Sequence, residues 1–209
     1  MNYQPKVLVG MPTYGSMSPK AVYSLWNLLY HSLDYLQGLI MVFDSYIDTA
    51  RNSLAKIAAD DETITHLYQQ DQDMDVPSQG LLRLLTHNVP VTGGWYCDKS
   101  PEHKPTAWNW TPEFERLQDW QSGLQKVGGI PAGCMLVEAW VFREMRKMYN
   151  DENWFLITEK GEDVYFSERL KEMNIDSYLD NDLKCGHVME TTATFDDFQK
   201  AQKSCLILA

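Results

Sequence analysis

The sequence predicts an α/β domain with a mostly parallel central sheet flanked by helices. Three observations carry this. Short apolar runs alternate with helical stripes from residue 6 to residue 96. The first two connections between runs are long enough for βαβ crossovers. An Asp71-Gln72-Asp73 block closes one apolar run, and strand ends are where open α/β sheets bind ligands.

The elements follow in order. Lys6–Met11 predicts a buried strand broken by Pro12. Residues 19–36 carry Val22, Leu25, Trp26, Leu29, Leu33 and Leu36 at helical spacing, with Gly38 as the stop. Leu39–Phe43 predicts a second strand, closed by Asp44. Ile47, Ala50, Leu54 and Ile57 repeat the helical period. Thr63–Gln69 predicts a third strand that runs into the Asp-x-Asp block. Pro77–His87 predicts a short helix, and Val89–Tyr96 a fourth strand. Residues 97–128 break the rhythm with Pro101, Pro105 and Pro112 and hold Trp108, Trp110 and Trp120. A long irregular segment in a compact domain is commonly functional or disordered, and the tryptophans favour order. Strand pattern returns at Ile130–Val137. Helices are predicted near Glu138–Tyr149 and over Glu162–Met173, a last strand over Ile175–Leu179, and then Cys185-Gly186-His187-Val188.

Composition sets bounds. With 209 residues, 44% hydrophobic and 22% charged, the chain is long enough to bury a substantial core. A net charge of −11 argues against nucleic acid as a partner, because the phosphate backbone would be repelled. An acidic chain that takes a phosphorylated ligand needs a cation to bridge the two, which suits the Asp-x-Asp pair. No apolar run reaches the ~18 residues of a bilayer span, and no signal peptide precedes the first strand. Cys97, Cys134, Cys185 and Cys205 are scattered, so reduced thiols and a cytoplasmic location are expected. Residues 191–209 read as a tail that links to a further domain.

Six segments, taken together, resemble the GT-A glycosyltransferases, particularly the small family-two-like enzymes of bacteria and large viruses. They are Val7–Tyr14, Thr49–Ala55, Asp71–Met74 with Pro77, Gly129–Val137, Gly161–Phe166 and Cys185–His187. Their order matches over roughly residues 6–188. Pro131-Ala132 departs from the usual Gly-rich strand, and Asp75 beside the Asp-x-Asp is an extra carboxylate that competes for a cation.

The resemblance implies a GT-A fold over residues 1–190. It implies transfer of a sugar from a nucleotide-diphosphate donor, a UDP-sugar, to a hydroxyl of a glycan, glycoprotein or other acceptor. It implies Mn²⁺ or Mg²⁺, held by Asp71, Asp73 and His187, to stabilise the diphosphate leaving group; an imidazole ligand suits Mn²⁺. Pro12, Thr13, Tyr14, Asp44, Arg51, Asp71, Gln72 and Gly133 would contact the donor. Asp163, with Glu162 beside it, would act as general base, and Trp95, Trp108 and Trp110 would stack on an acceptor sugar.

Each residue has a plainer reading. Asp71 and Asp73 also suit a solvated acidic turn. His187 also suits a surface position. Glu162 and Asp163 also suit the first turn of a helix, where carboxylates complement its dipole. Arg51 is also an ordinary helix residue, Asp44 an ordinary turn, and a tryptophan is as often core as platform. Three other functions share parts of the pattern. A sugar-phosphate nucleotidyltransferase would want a basic loop after the first strand, whereas Gly10–Ser16 has neither Arg nor Lys. A non-catalytic sugar-nucleotide or glycan-binding module would have no need of the Asp-x-Asp, Glu-Asp and His elements together. A metal-dependent phosphohydrolase would release free sugar whatever the acceptor.

Overall fold

The computed structural model describes residues 4–43, 45–109, 111, 115–118 and 121–189. Asp44, Trp110 and the 191–209 tail lie outside the described residues. The chain runs β1 (Val7–Thr13), α1 (Pro19–His31), β2 (Leu36–Phe43), α2 (Ile47–Asp60), β3 (His66–Gln70) and β4 (Met74–Asp75). It continues with α3 (Gly80–Thr86), β5 (Val91–Trp95), β6 (Leu124–Val127), β7 (Cys134–Glu138), α4 (Ala139–Tyr149), α5 (Glu162–Glu172), β8 (Ser177–Lys184) and β9 (Gly186–His187).

Seven strands form one sheet in the order β2-β1-β3-β7-β5-β8-β6, and β4 pairs with β9 in a two-stranded ribbon. β1 lies parallel to β2 and β3, and β5 parallel to β8. β7 is antiparallel to both β3 and β5, and β6 is antiparallel to β8. Five strands therefore share one direction, as predicted, and two oppose it. The alternation of strand side chains divides the core. Val7, Val9 and Met11 face a cluster with Leu25 and Leu28 of α1 and Leu81 and Leu84 of α3. Leu8 and Leu67 face the other layer, with Leu54 and Ala58 of α2, Phe142 and Met145 of α4, and Phe166 and Leu170 of α5.

Several boundaries differ from the sequence reading, each for a local reason. β1 runs through Pro12, which pairs with Val42 of β2; the register with β3 ends at Gly10, so Pro12 is flanked by a strand on one side only, a place that tolerates a missing N–H. α1 stops at His31, a short 3₁₀ turn covers Leu33–Tyr35, and β2 begins at Leu36, so Gly38 lies inside a strand. The buried seam of α1 is Ala21, Ser24, Leu25 and Leu28. Val22, Trp26 and Leu33 are exposed instead. β6 and the β4–β9 ribbon are too short and too polar to stand out as periodic runs.

One edge of the sheet gathers the chemistry. β1, β2, β3, β5 and β8 end there, and the antiparallel β7 begins there. It therefore carries residues 12–14, 45–47, 71–73, 96–99, 133 and 185–187.

Candidate active site

Arg51 organises the centre of the site. It sits on α2 with 2% of its surface exposed. Its Nη2 donates to both carboxylate oxygens of Asp71, at 2.9 and 3.1 Å, and its Nε to Glu162 Oε1 at 3.1 Å. Nη1 donates to Gln69 Oε1 at 3.1 Å and to the Ala132 carbonyl at 3.3 Å. Burial opposes the charge on Arg51, but Asp71 and Glu162 outweigh it and hold the guanidinium protonated. The expectation was a direct phosphate or base contact; in this structure the guanidinium donates to Asp71, Glu162, Gln69 and the Ala132 carbonyl. Glu162 likewise serves to hold Arg51.

Asp71 lies under Gly133. Its backbone N–H donates to the Gly133 carbonyl at 3.1 Å. A Cβ at Gly133 would come within 2.5 Å of Tyr96 Oη and 2.9 Å of Asp71 Oδ2. Only glycine permits this approach. Tyr96 Oη accepts the Gly133 N–H at 3.0 Å.

Asp73 and His187 are brought together by the ribbon. Met74 of β4 registers against His187 of β9, and the Val188 N–H donates to the Asp73 carbonyl at 2.7 Å. His187 Nε2 lies 3.5 Å from Asp73 Oδ2. Nδ1 lies 3.0 Å from the Cys97 carbonyl. The carbonyl accepts from Nδ1–H, and Nε2 faces Asp73; when Nε2 gives up its proton this is the way metal-binding imidazoles are oriented. The ring meets Tyr96 edge-to-face. Burial raises the Asp73 carboxyl, but His187 and Lys99 prevail and hold it down at about 2.

Lys99, unremarked in the sequence, places Nζ 2.5 Å from Asp73 Oδ2. An ammonium thus occupies cation-binding space beside the carboxylate. Asp75 is turned to Lys20 at 2.9 Å, away from the role of competing ligand. Asp71 gives both its oxygens to Arg51 and stands in the same cavity wall as Asp73 and His187. Among the described residues, no three His, Cys, Asp or Glu side chains form a ready metal cage. One carboxylate and one imidazole do fit Mn²⁺ or Mg²⁺ by donor type, since such ions are commonly held by few protein ligands together with substrate phosphates.

A cavity of about 480 Å³ opens beside this pair. The end of β1 supplies Pro12, Thr13 and Tyr14; the start of α2 supplies Tyr46; and Asp71, Gln72, Asp73 and His187 complete one wall. Gln72 clamps Tyr14 by bonding both its N–H and its carbonyl. Tyr14 and Tyr46 are 78% and 79% exposed. Tyr46 was missed in the sequence; its place directly before an amphipathic helix is the signal that points to it.

Asp163 follows Gly161, whose φ of +101° belongs to glycine. Burial, together with the neighbouring Glu162 charge, pushes the Asp163 carboxyl up to about 7, against the pull of Arg51. Its Oδ1 also accepts the Val164 N–H at 2.9 Å, so the base and helix-end readings coexist. Trp95 is half-buried at the end of β5. Trp108, expected to stack on an acceptor, is 9% exposed, packs on Val164 and carries the Arg116 guanidinium over its ring.

No protein-family model matches the sequence, and no curated protein matches it. Solved structures do. The chain is similar to A197 from STIV, with a TM-score of 0.61 and 17% identity over 90% of this chain and 87% of that one. It is also similar to GalNAc-T7 with UDP, GalNAc and Mn²⁺, with a TM-score of 0.56 and 11% identity. That match covers 97% of this chain and 48% of the other, so the chain spans about half its length. At these identities the likeness is one of fold: a mixed α/β sheet flanked by helices, the GT-A fold.

Proposed function

We propose that the chain is a divalent-cation-dependent glycosyltransferase that uses a nucleotide-diphosphate sugar, a UDP-sugar, and delivers the sugar to a hydroxyl of a glycan or other acceptor. The observation that carries this is the Asp73–His187 pair. The β4–β9 ribbon fixes it, the Cys97 carbonyl orients it, and it forms one wall of a cavity with aromatic side chains around it. The neighbour described with UDP and Mn²⁺ supports the reading by analogy of fold.

In this reading Tyr14 and Tyr46 offer aromatic faces to the nucleobase. Asp73 and His187 hold the cation, which would neutralise the charge that gathers on the departing diphosphate. Asp71, its charge met by Arg51, is a fixed polar wall of the cavity. Asp163 takes the proton of the acceptor hydroxyl; a carboxyl titrating near 7 retains appreciable proton affinity at neutral pH.

A panel of nucleotide sugars incubated with Mn²⁺ tests this, read by thermal shift and by nucleoside-diphosphate release with and without acceptor. Acceptor-stimulated release from one donor supports transfer. Metal-dependent binding without release would mark the chain as a sugar-nucleotide-binding module. Release of free sugar that no acceptor stimulates would mark a hydrolase.

A further inference from the structure

We infer that the free edge of β2, together with the outer flank of α1, is a self-association surface, at which a second copy of this chain adds its own β2 and continues the sheet. The inference is independent of the transferase reading.

β2 and β6 are the two ends of the strand order, and they differ. β6 has four residues and carries Lys126; a short strand with a charge is how edges are kept from pairing. β2 has eight residues, Leu36–Phe43, and none is charged or proline. From Gly38 to Phe43 its register with β1 is unbroken. Its other side presents backbone N–H and C=O groups with no strand across from them among the described residues. Such an edge is a template for another strand.

The side chains beside that edge are apolar. Leu39 and Phe43 register against Val9 and Thr13. Val9 faces the α1 layer, so strand alternation puts Leu39 and Phe43 on the α1 face of the edge. One flank of α1 is turned to α3 and the ribbon: Lys20 pairs with Asp75, His31 meets Gln79, and Ser24 bonds Val76. Val22 and Trp26, one turn apart, lie on the opposite flank, toward β2. Trp26, Tyr30 and Phe43 are 66%, 62% and 61% exposed. At those exposures the three rings present roughly 300–450 Å². Val22, Leu33 and Leu39, also exposed, and the strand's backbone extend the patch. A stable pair buries about 800 Å² per partner, so the rings alone supply close to half. Apolar patches of this size mark contact sites.

Charge and symmetry point to a second copy. Residues 1–43 hold one of the chain's 29 acidic side chains, Asp34. Two molecules of net charge −11 repel each other and approach most readily through a surface so poor in carboxylates. A twofold axis normal to the sheet pairs β2 with its own copy, antiparallel, and sets both α1 helices on the same face. The apolar patch then meets itself. A lipid surface would cover the rings but leave the strand's N–H and C=O groups unpaired.

Sedimentation of the full chain over about 1–100 μM tests this. A concentration-dependent dimer is expected. Leu39→Lys, which gives this edge a charge as β6 has, and Trp26→Lys are each expected to weaken it by at least about tenfold with the circular dichroism spectrum unchanged. Leu124→Lys, on the other edge, is expected to leave the dimer as it is. Amide exchange at residues 38–43 reads the strand pairing without any substitution and is expected to slow as the dimer fills. A monomer throughout the range overturns the proposal. So does a dimer that Leu39→Lys leaves intact, or exchange at 38–43 that is the same in monomer and dimer. A monomer that floats with phosphatidylcholine vesicles, and ceases to with Trp26→Lys, would overturn it by giving the patch to a membrane surface.

Discussion

Arg51 Nη2 bonds both oxygens of Asp71, and the same guanidinium reaches Glu162 from 111 residues away in sequence. The helix α2, the Asp-x-Asp loop and the start of α5 are thereby tied through one buried cation. Removing it strands two carboxylates in a poorly solvated place. Arg51→Met is expected to cost about 3–5 kcal/mol in stability, the usual penalty for breaking a buried ion pair from one side. Urea denaturation measures this. A loss below about 1 kcal/mol would mean that the carboxylates find water instead.

Lys99 is expected to compete with the cation at Asp73. The contact is partly exposed, so displacing Lys99 costs up to about 1 kcal/mol. Lys99→Met should therefore tighten Mn²⁺ binding by up to about fivefold, as measured by calorimetry with the metal alone. Weakened binding would instead assign Lys99 a supporting role at Asp73.

The Asp163 carboxyl, pushed up to about 7, acts as base only when ionised. Turnover is expected to rise with pH through about 7 and then level off, and Asp163→Asn should lower it by roughly 10²–10⁴-fold and abolish that limb. Stability runs the other way. Between about pH 4 and 7 the folded chain holds a proton at Asp163 that the unfolded chain has lost, so this residue's contribution falls as pH rises. The melting temperature of Asp163→Asn relative to the parent should thus improve from pH 5 to pH 8. A normal rate with a uniformly lowered melting temperature would leave Asp163 a helix-end residue only.

The strand–helix alternation through β5, the Asp-x-Asp at the end of β3 and the Cys-Gly-His segment could be read from the chain, because apolar runs, Gly breaks and carboxylate spacing are local patterns; β6 and the β4–β9 ribbon could not. Arg51's true partners could not. Its contacts at Asp71, Glu162, Gln69 and Ala132 come from segments that meet only in the folded sheet. Lys99 and Tyr96 carried no pattern for the same reason: each acts across a loop, on Asp73 and on Gly133. The buried Gln69 bonds Arg51 as well, and nothing in the run His-Leu-Tyr-Gln-Gln sets it apart from Gln70. Trp108 shows the converse, since composition alone does not separate a stacking platform from a core aromatic.

Tyr46 is exposed and lines the cavity beside Asp73 and His187. If it stacks on the base, Tyr46→Ala should weaken UDP binding by about 1–3 kcal/mol, and Tyr46→Phe should restore most of it. Titration calorimetry with UDP and Mn²⁺ reads both, and equal affinity in all three proteins would place the base elsewhere.

The pairing of Asp73 with His187 as a cation seat for a diphosphate is tested most directly by titrating UDP into the chain with Mn²⁺ and again with EDTA. In a protein of net charge −11, Mn²⁺ is expected to tighten UDP by at least about tenfold, roughly 1.4 kcal/mol, and His187→Ala to remove most of that gain. The same UDP affinity with metal and with EDTA would contradict the account.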